Sequence, residues 1–273
     1  MIIDGHAHSS GEFFRAENLV ETLDRAHAAK VVLCPGLPSN ERKQNSPRLA
    51  HWFPRSDLMF PINRIIRLLT YPTIRRHLAP DNQYVYELTQ HCPERVIQCY
   101  WLNPKIPNAL SELVQCYRDW HFKMIKLHQP SDYFQLDDPL FAEVVRFAIE
   151  HRLPIFLHLY SRRDVIECIG LAGKFPEANF IIAHLIGLEI FARHAHLLPN
   201  LYFDISPTPL ISDHRILATI STFGADHVLL GSDTPFGREN LIRNIERVQR
   251  LPISDPHKAL ILGENLQRLL CIL

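Results

Sequence analysis

Asp4-Gly5-His6-Ala7-His8 opens the chain with two imidazoles two residues apart. Side chains alternate along a strand, so His6 and His8 point the same way, about 7 Å apart along the backbone. Two neutral imidazoles with that reach can grip one divalent ion, because nitrogen lone pairs suit a borderline-soft metal at ~2.0–2.1 Å. A satisfied pair of core histidines is the plain alternative. Three further apolar runs change that balance, for each ends in a metal-competent or titratable side chain: Ile155-Phe156-Leu157-His158, Ile181-Ile182-Ala183-His184 and Leu229-Leu230-Gly231-Ser232-Asp233. Histidine is poorly suited to strand cores, and its recurrence at strand ends points to one shared site. The chain holds 16 histidines, and those outside this set fall in helix-like or loop-like stretches, where surface positions are expected.

The elements that must position these residues follow from hydrophobic patterning. Short apolar runs without strict alternation lie at Met1–Gly5, Val31–Cys34, Val96–Trp101, Met124–Leu127, Ile155–Leu157, Phe180–Ala183, Leu201–Asp204 and Val228–Gly231, as expected of parallel strands buried on both faces. Helical spacing fills the intervals: Leu110–Trp120, the stretch from Leu140 to Ile149 after Asp137-Asp138-Pro139, Val165–Lys174, Leu188–Leu198, Ile211–Phe223 and Leu241–Val248. Eight strand–helix units in 273 residues predict a single (β/α)8 barrel domain over 1–273. An open doubly wound sheet is disfavoured, because no glycine-rich phosphate turn follows the first strand.

Leu37–Pro80 interrupts the rhythm, being far longer than the roughly 2–6 residues of a usual βα connection. Its first half is loop-like, and its second has Ile62, Ile65, Ile66 and Leu69 at helical spacing. Coming after strand two, the insertion would project from the barrel face where active sites lie. It is read as a lid or as the contact of a homodimer, with a surface ornament as the plain alternative.

Lys+Arg and Asp+Glu both number 29, so the net charge is zero and no basic field recommends nucleic acid or an anionic membrane as partner. The six cysteines form no CxxC pair and are expected to be buried free thiols. No apolar run approaches the ~18 residues that cross a bilayer, and the first residues lack the charged start and apolar stretch of a signal peptide. The expected compartment is the cytoplasm, and the expected partner a small-molecule substrate.

His6-x-His8, His158, His184 and Asp233, in that order, resemble the amidohydrolase superfamily of metal-dependent barrels. Gly231-Ser232-Asp233-Thr234-Pro235-Phe236, Lys126-Leu127-His128 and Pro93-Glu94-Arg95-Val96 are similar to its amidohydrolase-related branch, which includes decarboxylases like aminocarboxymuconate-semialdehyde decarboxylase. The resemblance spans the chain apart from the insertion. It implies His6, His8, His158 and Asp233 as metal ligands, with His184 orienting or protonating substrate. It implies one divalent ion rather than two, zinc first, with manganese, iron or cobalt as alternatives. In binuclear relatives a strand-four lysine is carboxylated and bridges two metals; here Lys126 is expected instead to be a cation that steadies negative charge. His128 is a substrate contact, an extra metal ligand, or a hydrogen-bonded histidine before Pro130. Arg162 and Arg163 are candidates to pair with a substrate carboxylate. Asp204 is a candidate outer partner of a ligating histidine, and Asp4 is expected to be structural.

The activity implied is hydrolysis of an amide, ester or lactone. The ion lowers the pKa of a bound water toward ~7, Asp233 takes the proton, and hydroxide attacks a carbonyl with help from His184. Non-oxidative decarboxylation is the alternative from the same family. A non-catalytic metal-binding barrel is the alternative outside enzymology. A nuclease is disfavoured by Lys126, since nucleases of this kind usually carry glutamate on strand four.

Overall fold

The computed structural model describes residues 1–36, 46–74 and 80–272. Eight parallel strands pair in sequence order, β1 (Ile3–His8), β2 (Lys30–Cys34), β3 (Val96–Trp101), β4 (Met124–His128), β5 (Ile155–His158), β6 (Phe180–Ile182), β7 (Leu201–Asp204) and β8 (Val228–Leu229). The chain closes on itself between β1 and the residues after β8. Gly5 N donates to Leu230 O at 2.8 Å, Asp233 N to His6 O at 2.7 Å and His8 N to Thr234 O at 2.9 Å. A Cβ on Gly5 would stand 2.7 Å from Leu230 O, so glycine lets the first and last strands meet. Helices lie between the strands, which makes this the predicted (β/α)8 barrel.

Strand parity sorts the side chains into two apolar clusters. Inward positions such as Ile97, Met124, Phe156, Ile181 and Leu229 form one, floored by Leu266 and Leu269 of the helix Asn265–Leu269. Alternate positions such as Val96, Ile125, Leu127, Leu157, Phe180 and Ile182 pack outward against the helices. Lys126 shares the parity of Met124, and His158 that of Phe156, so both side chains face the interior. In β1 the register against β2 shifts between Asp4 and Ala7. Ile3 therefore belongs to the inner cluster although His6 and His8, of opposite parity, also face the site.

Several boundaries differ from the sequence reading. β6 ends at Ile182, because the chain turns at Ala183–Leu185 with His184 at φ 59° and Leu185 at φ 50°. β8 ends at Leu229, where Leu230 N turns to Ile261 O at 3.0 Å. The predicted helix Leu188–Leu198 is an α-turn, Leu188–Phe191, followed by a 3-10 stretch, Ala192–Leu197.

Two helices, Leu49–Trp52 and Met59–Ile74, follow β2 before the helix Asn82–His91 that completes the βα unit. The loop-like part of the insertion falls largely at 37–45, outside the described residues, as do 75–79. The predicted helical spacing around Ile62–Leu69 lies within Met59–Ile74, but its face differs. Ile65 and Leu69 are exposed, at 55% and 75%, while Asn63 is fully buried. Polar Asn63 and Arg67 turn toward the barrel because carbonyls of Leu159, Tyr160 and Gln129 stand beneath them.

Candidate metal centre

His6, His8, Lys126, His158, His184 and Asp233 meet at the C-terminal rim of the barrel, all under 8% exposed. His6 Nε2 lies 3.6 Å and His8 Nε2 3.4 Å from Asp233 Oδ1, and His184 Nε2 lies 4.0 Å from Oδ2. Donor atoms of His6, His184 and Asp233 all fall within 4.8 Å of one another. One carboxylate thus faces three imidazoles, two from β1 and one from the end of β6.

Each histidine is held from behind. His6 Nδ1 lies 3.2 Å from both Asp204 Oδ2 and Ser206 Oγ. His8 Nδ1 donates to Pro35 O at 2.8 Å, and His184 Nδ1 to Ser206 O at 2.7 Å. Asp204 also accepts from the backbone N–H of His184 and from Ser206 Oγ. It is the outer carboxylate of this site, serving two strands at once. His184 and Asp233, at φ 59° and 55°, both occupy the left-handed region, a cost of order 1 kcal/mol each for a non-glycine residue. Backbone bonds from His184 N to Asp204 and from Asp233 N to His6 O hold them there.

Burial first, and then the nearby Lys126 charge, pushes His6 well below its ordinary value. Burial likewise pushes His128 and His158 well below theirs, and His184 down to about 4. These rings are neutral near pH 7, as metal ligands must be. His8 runs the other way: burial lowers it, but Cys34 and the contact with Asp233 outweigh burial and raise it to about 10, so a cation there would displace its proton. The neutral nitrogens of His6 and His184 beside the Asp233 carboxylate fit a divalent cation of zinc's kind.

Lys126 is 1% exposed. Its Nζ sits 2.9 Å from His6 Nε2 and 4.1 Å above the Phe156 ring. Among the described residues its ammonium has no carboxylate within ion-pair distance. His128 pairs in register with His158, and their ring centroids are 4.3 Å apart. Its Nδ1 accepts from Ser131 N at 3.2 Å, capping the turn Gln129–Asp132. Asp4 accepts from Ser232 N at 2.8 Å and His6 N at 3.2 Å, tying β1 to the loop after β8.

The remaining expected residues stand differently. Ligand atoms of His158 do not join the triad, although its ring centroid is 4.7 Å from that of His184, and its Nε2 lies 2.9 Å from Asn63 Oδ1. Arg162 and Arg163 occupy the exposed first turn of the helix Arg162–Lys174; Arg163 pairs with Glu167 at 2.7 Å, and the Arg162 guanidinium is 5.8 Å from the Phe60 ring. All six cysteines are free, but only Cys34, Cys99 and Cys168 are buried, and Cys271 is exposed. Cys34 reaches the site's edge, with Sγ 3.2 Å from His8 Nδ1 and 3.3 Å from Ala7 O.

Sequence reasoning missed Asn63, Ser206 and Asp132. Asp132 accepts from Trp101 Nε1 at 2.9 Å, and that indole packs beside His8 and His128. None of the three carries a spacing signal, since each is placed by the path of a loop or of the inserted helix.

A family model described as amidohydrolase matches residues 73–271. No curated protein matches the chain by sequence. Among solved structures, 4-oxalomesaconate hydratase from Rhodopseudomonas palustris is 16% identical with a TM-score of 0.67, covering 99% of this chain and 96% of its own. The 5-carboxyvanillate decarboxylase of Sphingomonas paucimobilis is 12% identical with a TM-score of 0.68, covering 100% and 99%. A dihydroxybenzoic acid decarboxylase from Polaromonas sp. JS666, solved with bound manganese and 2-nitroresorcinol, is 15% identical with a TM-score of 0.68, covering 99% and 96%. At these identities the likeness is one of fold.

Proposed function

The chain belongs to the amidohydrolase family, and from that premise we propose that it is a divalent-metal-dependent enzyme that removes the carboxyl group of a small carboxylated molecule. The observation that carries this reading is Lys126, a buried cation at the centre of the site with no carboxylate beside it among the described residues. A buried charge is stable when it is paired, and an anionic substrate supplies the partner. The solved proteins of like fold include two named as decarboxylases of aromatic acids, which supports the same class of substrate.

His6 Nε2, His8 Nε2 and Asp233 Oδ1 would hold the ion, with His184 Nε2 beside Asp233 Oδ2. We propose zinc, on the ground of mixed nitrogen and oxygen donors. When bound, a divalent ion supplies a fixed positive charge that polarises a substrate oxygen. The chain's own groups do the rest. Lys126 Nζ binds the carboxylate and sets its position. His184, neutral and fixed by its Nδ1–H bond to Ser206 O, directs a lone pair at the reacting end. As the carbon–carbon bond breaks, its electron pair stays on the substrate carbon and carbon dioxide leaves. That carbon takes a proton from Asp233, which regains one from solvent.

Hydrolysis of an amide, ester or lactone is the second reading. Asp233 favours it, since a carboxylate facing three imidazoles is also placed to accept a proton from an attacking water. Carbon dioxide release from a panel of hydroxybenzoates, run beside an ester and lactone panel on the zinc-loaded protein, separates the two. Turnover in the first panel that Lys126→Met abolishes supports decarboxylation. Turnover confined to the second panel overturns it.

A further inference from the structure

A cavity of about 210 Å³ lies beside the inserted helix, walled by Arg67, Gln129, Tyr133, Phe134, Tyr160 and Asp164 among others. Its walls come from the chain after β4, the chain after β5 and the helix Met59–Ile74. None of the groups that meet around Asp233 lines it.

Arg67 brings to this cavity a cation whose donors are largely unspent. Its guanidinium carbon lies 3.3 Å from the centre of the Tyr160 ring and 4.0 Å from that of Tyr133. Ring contact draws on the charge and the flat face of a guanidinium and leaves its N–H groups for hydrogen bonds. Among the described residues Nη2 reaches Gln129 O at a long 3.4 Å, and Nε is buried without an acceptor. The neighbouring acids are committed elsewhere. Asp164 accepts from Ser161 N at 2.8 Å and from Gln129 Nε2 at 3.0 Å, and Glu167 pairs with Arg163 at 2.7 Å. A buried donor of a charged group is costly to leave unpaired, and a bound anion removes that cost.

The walls also define the anion. A guanidinium fork matches a carboxylate through two parallel bonds, and the rings of Tyr133, Phe134 and Tyr160 suit a flat apolar body. The volume suffices, since a cavity of about 150 Å³ already holds benzene. We infer that this cavity is an accessory site for a small aromatic carboxylate, with Arg67 binding the carboxyl group. A ligand there ties the inserted helix to the chain after β4 and β5. The sequence reading gave such a pairing to Arg162 and Arg163; Arg163 reaches the same cavity but is held by Glu167. The inference goes beyond the proposed metal-dependent activity and does not rest on it.

Arginine Nε–H spectra of the 15N-labelled, zinc-loaded protein test it, with benzoate and inorganic phosphate as probes. Arg67→Lys, which keeps the charge but loses the fork, identifies the Arg67 signal by its disappearance. Benzoate should move that signal saturably, and phosphate, lacking the flat body, should need about tenfold more or beyond. In crystals soaked with para-iodobenzoate, an anomalous iodine peak should appear in this cavity and vanish in Arg67→Lys. An Arg67 signal that benzoate leaves in place, phosphate binding as tightly as benzoate, or iodine found only at the metal rim overturns the proposal. Should Arg67→Lys fail to fold, the wild-type iodine peak still decides. Soaking after chelation of zinc separates the two readings, because failure of the metal centre leaves the Arg67 peak where it is.

Discussion

At the scale of single residues, the site is built by fixing the far nitrogen of each ring. Asp204 holds His6 through Nδ1 and the backbone of His184 through its N–H. Outer partners of this kind typically contribute 10–100-fold in metal affinity. Asp204→Asn should fold and bind zinc about 10–100-fold more weakly in calorimetry; unchanged affinity would remove Asp204 from the account. Asp132 offers a prediction about pH. Burial raises its carboxyl to about 7, against a lowering bond from Trp101. An acid with a raised folded pKa binds its proton more readily folded than unfolded. Its contribution to stability is therefore full below about pH 4 and falls away as pH rises through about 7. Wild type should lose a few kcal/mol relative to Asp132→Asn between pH 4 and 7, with a constant gap above. Urea unfolding of both proteins at pH 4.5 and 8 measures it, and parallel curves would contradict it. At this scale His6, His8, His184 and Asp233 were legible, because a strand's end advertises itself by its apolar run. Asn63 was not, since its spacing placed it between two apolar positions and gave no hint of the carbonyls it would meet.

At the scale of elements, parity and close approach decide what reaches the site. The expected boundaries of β3 and β7 match those observed, where apolar runs end against turn residues. β8 was expected two residues longer, and its early end is what frees Ser232 and Asp233 to bond His6 O. Gly231 stands at that exit. A Cβ there would meet Asp204 Oδ1 at 2.2 Å and His6 Cβ at 3.0 Å. Gly231→Ala should cost on the order of 1–3 kcal/mol, as other overpacking changes do, and should weaken zinc binding by displacing Asp204. Thermal unfolding with and without zinc reads both effects; a variant as stable and as zinc-avid as wild type would refute the packing argument. The inserted helix shows where periodicity fails. Ile62, Ile65, Ile66 and Leu69 suggested one apolar face, yet the buried stripe runs through Asn63, because polar atoms of the chain after β5 needed partners.

At the scale of the whole molecule, a closed parallel sheet brings to one rim residues separated by more than two hundred positions in sequence, as His6 and Asp233 are. The barrel was legible because eight apolar runs alternate with helical stretches, and that order alone fixes which strand ends are neighbours. The chemistry was legible only to the level of a rim where histidines and one carboxylate converge, since substrate choice lies in loops whose paths periodicity does not encode. The central claim is that one divalent ion sits between His6, His8 and Asp233. Anomalous diffraction at the zinc edge, from crystals grown with zinc, tests it directly. The account predicts a single strong peak bounded by the Nε2 atoms of His6 and His8 and by the Asp233 carboxylate. A peak coordinated elsewhere, or none at this rim, would contradict it.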